Sequence, residues 1–314
     1  MKKLVIPFND IPQLSFKDKA YASGNPKLKP FFNHSVSLEN FQNVIEVKSK
    51  QVYPRELIVK VLNEQYSDLP KSKLTQTNIN SLIHSNTYTI ITAHQPVLFT
   101  GPLYYIFKIC STLNLCNQLK NKYPLNNFVP LFINGSEDHD FQEINHTYLY
   151  NKKITWEQPN GGSVGKLSTE SIKSVLEELK QLLGDTKEAA EVFQLIYDSY
   201  THNNLYEQAS SALLNALFGK YGLVILNMSH PALKGYFKHI LEKELFEQPS
   251  QSIIEKTQQE LVSLGFSIQA HVREINLFYL RNNERKRIEK SGDKFHIVDT
   301  EINFTAAEIL RELE

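Results

Sequence analysis

The stretch "ITAHQPVLFTGPLYYIFK", residues 91–108, sets a polar pair, His94-Gln95, between an apolar run and a Gly-Pro pair that opens a helical pattern. Just upstream, residues 88–92 (YTIIT) are β-branched and apolar on both faces, as a parallel strand buried on both sides requires. Downstream, Leu103, Ile106, Phe107, Cys110, Leu113, Cys116 and Leu119 recur at steps of three and four, which predicts one apolar stripe along a helix. Residues 128–133 (FVPLFI) read as a second buried strand, with Pro130 pointing to an edge or a bulge. Strand, loop, helix and strand in this order make a βαβ unit.

Working outward, residues 4–8 form a strand candidate, and 9–50, rich in Pro, Asn and Ser, read as loop with some helix. Helices are predicted over 54–62, with Pro54 near the first helical position, and over 74–85. Residues 148–166 are strand-like and then turn-rich, and 168–219 are mostly helical. Residues 223–226 (LVIL) form another buried strand. A helix follows it, entered at Ser229 and Pro231, and a further one runs to Gly265. Residues 266–272, 276–280 and 295–298 read as short antiparallel strands. The sum is an α/β core built on a parallel sheet, with a largely helical insertion and a small antiparallel β element. The expected boundaries are 1–149, 150–220 and 221–314.

The bulk properties narrow the partners. Lys+Arg and Asp+Glu both total 34 in 314 residues, so no net charge draws the chain to nucleic acid or to an anionic membrane. The basic run at 281–290 is interleaved with Glu284 and Glu289 and reads as a solvated hairpin. Cys110 and Cys116 stand six apart, roughly 240° around a helix, so they form no disulfide there. The N-terminal apolar run ends at Asn9-Asp10, short of a signal-peptide core, and no run approaches the ~18 residues of a membrane span. The expectation is a soluble, cytoplasmic protein.

Two stretches carry the chemistry. Residues 94–102 lie where ligands bind in open α/β sheets, beyond a strand's carboxyl end and before a helix N-terminus. There Gly101 lets the backbone approach a ligand and Pro102 sets the first helical turn. Tyr104 and Lys108 follow on one face. An ordinary βα turn with a lysine stretched along the surface explains the same spacing. Residues 134–146 (NGSEDHDFQEINH) follow the second strand, at the same end of the sheet. Glu137, Asp138, Asp140 and Glu143 surround His139 within seven residues. That density suits Mg²⁺, a substrate ammonium group, or acid–base work by the imidazole. An acidic helix start capped by Ser136 would explain two of the acids, but explains His139 between Asp138 and Asp140 poorly. The run at 159–167 (PNGGSVGKL) fails as a phosphate-binding loop. Its glycines are one residue too close and Leu167 stands where Ser or Thr must meet Mg²⁺. His230, His239, His271 and Arg273 read as structural or surface residues.

Residues 92–108 and 133–146 together resemble the BshC family, the cysteine ligases of bacillithiol biosynthesis, and the runs at 221–227, 230–237, 271–280 and 304–313 extend the likeness over most of the chain. The resemblance implies a Rossmann-like core of the nucleotidyltransferase type and a ligase that adds L-cysteine to glucosaminyl-malate. ATP is the implied activator, with Mg²⁺ as a companion ion and no protein-bound metal. The implied assembly is a homodimer formed through a coiled-coil arm. The implied catalytic residues are His94, Asp138, His139 and Asp140. The implied binding residues are Gln95, Phe99, Gly101, Pro102, Tyr104, Lys108, Ser136, Glu137 and Asn145. Ala93 departs from the family's usual glycine before the turn. Family members continue beyond the position of Glu314, which implies a C-terminally truncated chain. The competing readings are a metal-dependent hydrolase using His94 and residues 137–140, and an inactive binding protein.

Overall fold

The structure, a computed structural model, describes residues 4–158, 162–281 and 284–313. In chain order its helices are α1 (Phe16–Ala22), α2 (Phe41–Ser49), α3 (Arg55–Gln65), α4 (Lys73–Ser81), α5 (Leu103–Lys122), α6 (Phe141–Ile144), α7 (Lys173–Leu183), α8 (Lys187–Thr201), α9 (Tyr206–Phe218), α10 (Pro231–Tyr236), α11 (Lys238–Glu247), α12 (Pro249–Ser263) and α13 (Ala306–Arg311). The strands are β1 (Thr87–His94), β2 (Asn127–Asn134), β3 (His146–Leu149), β4 (Lys152–Thr155), β5 (Val224–Asn227), β6 (Phe278–Arg281), β7 (Glu284–Ser291), β8 (Lys294–Ile297) and β9 (Asn303–Thr305). The chain divides into two compact units. One holds Tyr53–Lys238, Phe278–Arg287 and Leu313; the other holds the N-terminal segment to Val52, His239–Leu277 and Ile288–Glu312. The boundaries expected from sequence, 149/150 and 220/221, both fall inside the first of these.

The first unit is built on a parallel sheet of order β1-β2-β5. β1 and β2 pair without a bulge from Thr87↔Asn127 to His94↔Asn134, and β5 joins over Leu131↔Val224 to Asn134↔Asn227. β2 is therefore the central strand, against the edge position that Pro130 suggested. The reason is local. β5 starts pairing only at Leu131, so Pro130 has a neighbour on one side alone and its missing N–H breaks no ladder there. Phe128, Val129, Leu131 and Phe132 are buried, and the core runs on through Ile109, Leu119, Trp156, Leu176, Tyr200, Leu213 and Leu226. The segment expected to be helical supplies α7, α8 and α9, which pack into this same core.

The α5 stripe is rotated from its expected phase. The residues it buries are Tyr105, Ile109, Thr112, Cys116 and Leu119, while Leu103, Phe107 and Cys110 are exposed. Two stripes with helical spacing coexist in this sequence, and the large area of Tyr105 decides which one faces the sheet. Both cysteines are free, as their spacing requires. Residues 4–8 form no strand: Leu4, Val5 and Ile6 are exposed, and Phe8–Asp10 is a 3₁₀ turn. Residues 266–272 also pair with nothing as a strand; β6 and β8 are the strands foreseen nearby.

The second unit has its own small cores. Ala20, Leu28 and Phe266 cluster with Phe31 and Phe32, and Phe16 stacks on Phe266 at 5.5 Å between ring centroids. β8 pairs antiparallel with β9 and with the end of β7, and Phe295 is buried edge-on against Phe246. Glu244, buried, accepts from Asn276 N–H, Asn276 Nδ2 and Ser250 Oγ.

Phe132 is fully buried in β2 and its ring meets Tyr105 of α5 at 5.3 Å. Phe132→Ala should lower the unfolding free energy by about 3–5 kcal/mol, read from urea denaturation, because the central strand leaves the cavity little room to collapse.

Candidate active site at the carboxyl ends of the parallel strands

The level register brings the two sequence candidates together. His94 and Asn134 are paired at the ends of β1 and β2, and the next amide, Gly135 N–H, donates to His94 carbonyl at 2.9 Å. Beyond this stitch, Gln95 Nε2 donates to Glu143 Oε2 at 2.9 Å, across 48 residues of sequence. A cavity of about 730 Å³ opens between the α5 entrance and β3. Its lining includes His94, Gln95, Gly101, Tyr104, Glu143 and Tyr148.

The turn into α5 is wound left-handed at three successive residues, Phe99 (φ 51), Thr100 (φ 71) and Gly101 (φ 53). For Phe99 and Thr100 this costs of order 1–3 kcal/mol each, so neighbours must enforce it. Phe99 is buried edge-on against Tyr200 of α8 and donates its N–H to the Tyr200 hydroxyl at 3.3 Å. Thr100 and Gly101 donate theirs to Val97 and Leu98 carbonyls. At Gly101 a Cβ would sit 2.3 Å from Val97 Cγ1, so only glycine fits. The turn delivers an α5 N-terminus with no side-chain cap and no acid in its first turn. Leu103 and Tyr104 N–H groups there have no acceptor within the helix. Lys108 lies one turn further on, over the Tyr104 ring at 5.4 Å.

His94 has a defined proton position. Its Nδ1 lies 2.9 Å from Gln95 carbonyl, which only accepts, so Nδ1 carries the hydrogen. Nε2 is then the acceptor, 3.0 Å from Tyr104 hydroxyl, which donates. Burial pushes the His94 pKa below the ordinary imidazole value. The Gln95 carbonyl opposes that, Lys108 adds to it, and the Glu143 and Asp138 carboxylates oppose it. Burial wins, and His94 is neutral at neutral pH.

The acidic stretch is less free than its density suggests. Asp138 Oδ1 accepts from the backbone N–H groups of His139 and Asp140. Asp140, in the place foreseen for Ser136, caps α6 by accepting from Glu143 N–H at 3.2 Å. Glu137 pairs with Lys234 at 2.5 Å. Ser136 and Asn145 are buried, so they support the segment from beneath. Asn145 carbonyl accepts from the N–H of buried Trp156 at 2.7 Å. Among the described residues no three His, Cys, Asp or Glu side chains converge as metal ligands, so the metal-hydrolase reading lacks a ligand set.

Several participants were not legible in sequence. Within the run at 159–167, Val164–Lys166 is a 3₁₀ turn that braces the acidic segment: Gly165 N–H donates to Ser136 carbonyl and Val164 N–H to Asp138 carbonyl. Residues 159–161 of the same run lie outside the described residues. Lys166 pairs with buried Glu207 of α9 at 2.9 Å. His146 and Tyr148 of β3 line the cavity, and Arg285 of β7 reaches His139 at 3.0 Å. His230, as expected, is structural: it caps α10 and meets Glu64 at 3.0 Å. No described helix is long and apolar enough to cross a membrane.

In an NMR titration His94 should show a midpoint below the ordinary imidazole value. Lys108→Met should raise that midpoint by removing a repelling charge, and Glu143→Gln should lower it by removing an attracting one. Because the folded state resists this proton, the His94 contribution leaves stability unchanged above the ordinary value. Stability falls as pH drops from there towards the lowered folded value.

Known proteins match this chain over its length. The family model described as "Bacillithiol biosynthesis BshC, N-terminal Rossmann-like domain" matches residues 1–314. Relatives named "Putative cysteine ligase BshC" include one from Cytophaga hutchinsonii, 38% identical over 98% of this chain and 57% of its own length. Another, from Flavobacterium psychrophilum, is 42% identical over 93% of this chain and 55% of its own. One from Bacillus thuringiensis is 29% identical over 94% and 56%. The chain thus spans a little over half the length of these relatives. The match over all 314 residues, on a parallel sheet whose strand ends carry His94 and Asn134, places the chain in the BshC family of bacillithiol biosynthesis, as its N-terminal Rossmann-like domain.

Proposed function

We propose that this chain supplies the carboxylate-activating site of a cysteine ligase that joins L-cysteine to the amine of glucosaminyl-malate with ATP. One observation carries the reading: an uncapped helix N-terminus, a neutral histidine and a carboxylate face one cavity at the strand ends. The absence of any acid in the first turn of α5 suits a phosphate, which the free Leu103 and Tyr104 amides and Lys108 would hold. Mg²⁺ on a phosphate needs one or two protein carboxylates, and Glu143, on the cavity wall, would supply one.

A carboxylate does not react with an amine at neutral pH until one of its oxygens is made a leaving group. The cysteine carboxylate oxygen bonds to a phosphorus of ATP, and pyrophosphate leaves for an acyl-adenylate, or ADP for an acyl-phosphate. The amine nitrogen then bonds to the acyl carbon, and the acyl C–O bond breaks with its electron pair on the phosphate. The nitrogen's proton passes to His94 Nε2, the lone pair that the fixed tautomer presents. Tyr104, half exposed, gives up its hydrogen bond to let the amine in.

Incubating the chain with ATP, cysteine and labelled pyrophosphate tests the first step. Cysteine-dependent exchange into ATP is the expected result; ADP release instead identifies an acyl-phosphate. Nucleotide bound with neither product makes the chain a binding module, and no nucleotide binding at all sinks the proposal. With the amine substrate present, His94→Asn should slow amide formation about 10²–10⁴-fold.

A further inference from the structure

His139 has a proton arrangement opposite to that of His94, and the residue that sets it comes from far along the chain. Arg285 of β7 places Nη1 3.0 Å from His139 Nδ1. A guanidinium only donates, so Nδ1 must offer its lone pair and the ring hydrogen sits on Nε2. The competing contact is weaker: Asp138 Oδ1 is 3.5 Å from the same Nδ1 and already accepts two backbone N–H groups. A hydrogen on Nδ1 would also point at the arginine's own hydrogens.

Arg285 is itself held in place. β6 and β7 form an antiparallel pair in which Leu280 stands opposite Arg285, so Phe278 is its diagonal neighbour. The guanidinium lies 3.8 Å from the Phe278 ring centroid, stacked over the face. The hairpin read from sequence as a solvated surface element therefore presents one fixed cation to the acidic segment.

We propose that Arg285 is a positioning residue that locks His139 as the Nε2–H tautomer, the reverse of His94, on the acidic segment whose Glu143 lines the cavity. Resting on the amide-forming reaction above, the Nε2–H donor serves the acyl oxygen that gains negative charge as the amine adds. The tautomer itself does not depend on that reaction.

Long-range proton–nitrogen NMR spectra of the histidine-labelled chain, recorded where imidazoles are neutral and assigned with His139→Gln, test this directly. The expected result is Nε2 protonated and Nδ1 bare at His139, with the opposite pattern at His94. Arg285→Lys should keep the His139 pattern and Arg285→Met should lose it, while His94 is unchanged in both. A His139 with hydrogen on Nδ1 in the unmodified chain, or the same pattern in Arg285→Met, overturns the proposal. Loss of the pattern in Arg285→Met with the rate of amide formation from the amine substrate unchanged supports the lock and counts against the amide-forming role alone.

Discussion

Everything at the site follows from one row of paired residues: His94, Asn134 and Asn227 end three parallel strands at the same level. Because side chains alternate faces along a strand, a slip of one residue would turn each to the other side of the sheet. The row is fixed by eight unbroken pairs between β1 and β2 and tied at its end by Gly135 N–H on His94 carbonyl. Its middle member is anchored too. Asn134, wholly buried, donates from Nδ2 to Asn227 Oδ1 at 3.0 Å and lies within reach of Glu207 carbonyl and Ser211 Oγ. With the row level, two loops 40 residues apart in sequence must start from one rim.

The helical segment after β4 is part of this arrangement. Tyr200 of α8 receives the amide of Phe99 and holds the left-handed turn, and Glu207 of α9 pairs with Lys166 beneath Ser136. Gly165 admits the close approach: a Cβ there would lie 2.4 Å from Ser136 Cβ. The helices thus supply the rigidity that lets residues 99–101 stay in an unfavourable conformation, which in turn aims the first turn of α5 at the cavity.

The sequence makes the sheet legible because buried parallel strands are continuous apolar runs, and 88–92, 128–133 and 223–226 stand out as such. It locates both site loops for the same reason, since each follows one of these runs. It is weaker wherever phase or pairing decides. α5 is apolar over much of its circumference, so the spacing of three and four gives a helix but not the face it buries. Residues 4–8 and 266–272 have strand composition, yet a strand exists only where a partner's N–H and C=O groups are at hand. Arg285 and Lys166 could not be assigned to the site at all. Each belongs to a charged or glycine-rich surface run, and only the fold carries it to His139 or Glu207.

The acidic stretch shows why density of charge is a poor guide to chemistry. Four carboxylates within seven residues repel one another, and the folded chain relieves this by giving each a donor: backbone amides for Asp138 and Asp140, Lys234 for Glu137, Gln95 for Glu143. Held in this way, they act as a fixed field. Glu143 and Asp138 pull a proton toward His94, while burial and Lys108 push it away more strongly, so the ring stays neutral with its lone pair outward. The uncharged imidazole donates to a backbone carbonyl on one side and accepts from the Tyr104 hydroxyl on the other, and the acids around it oppose the loss of its proton affinity.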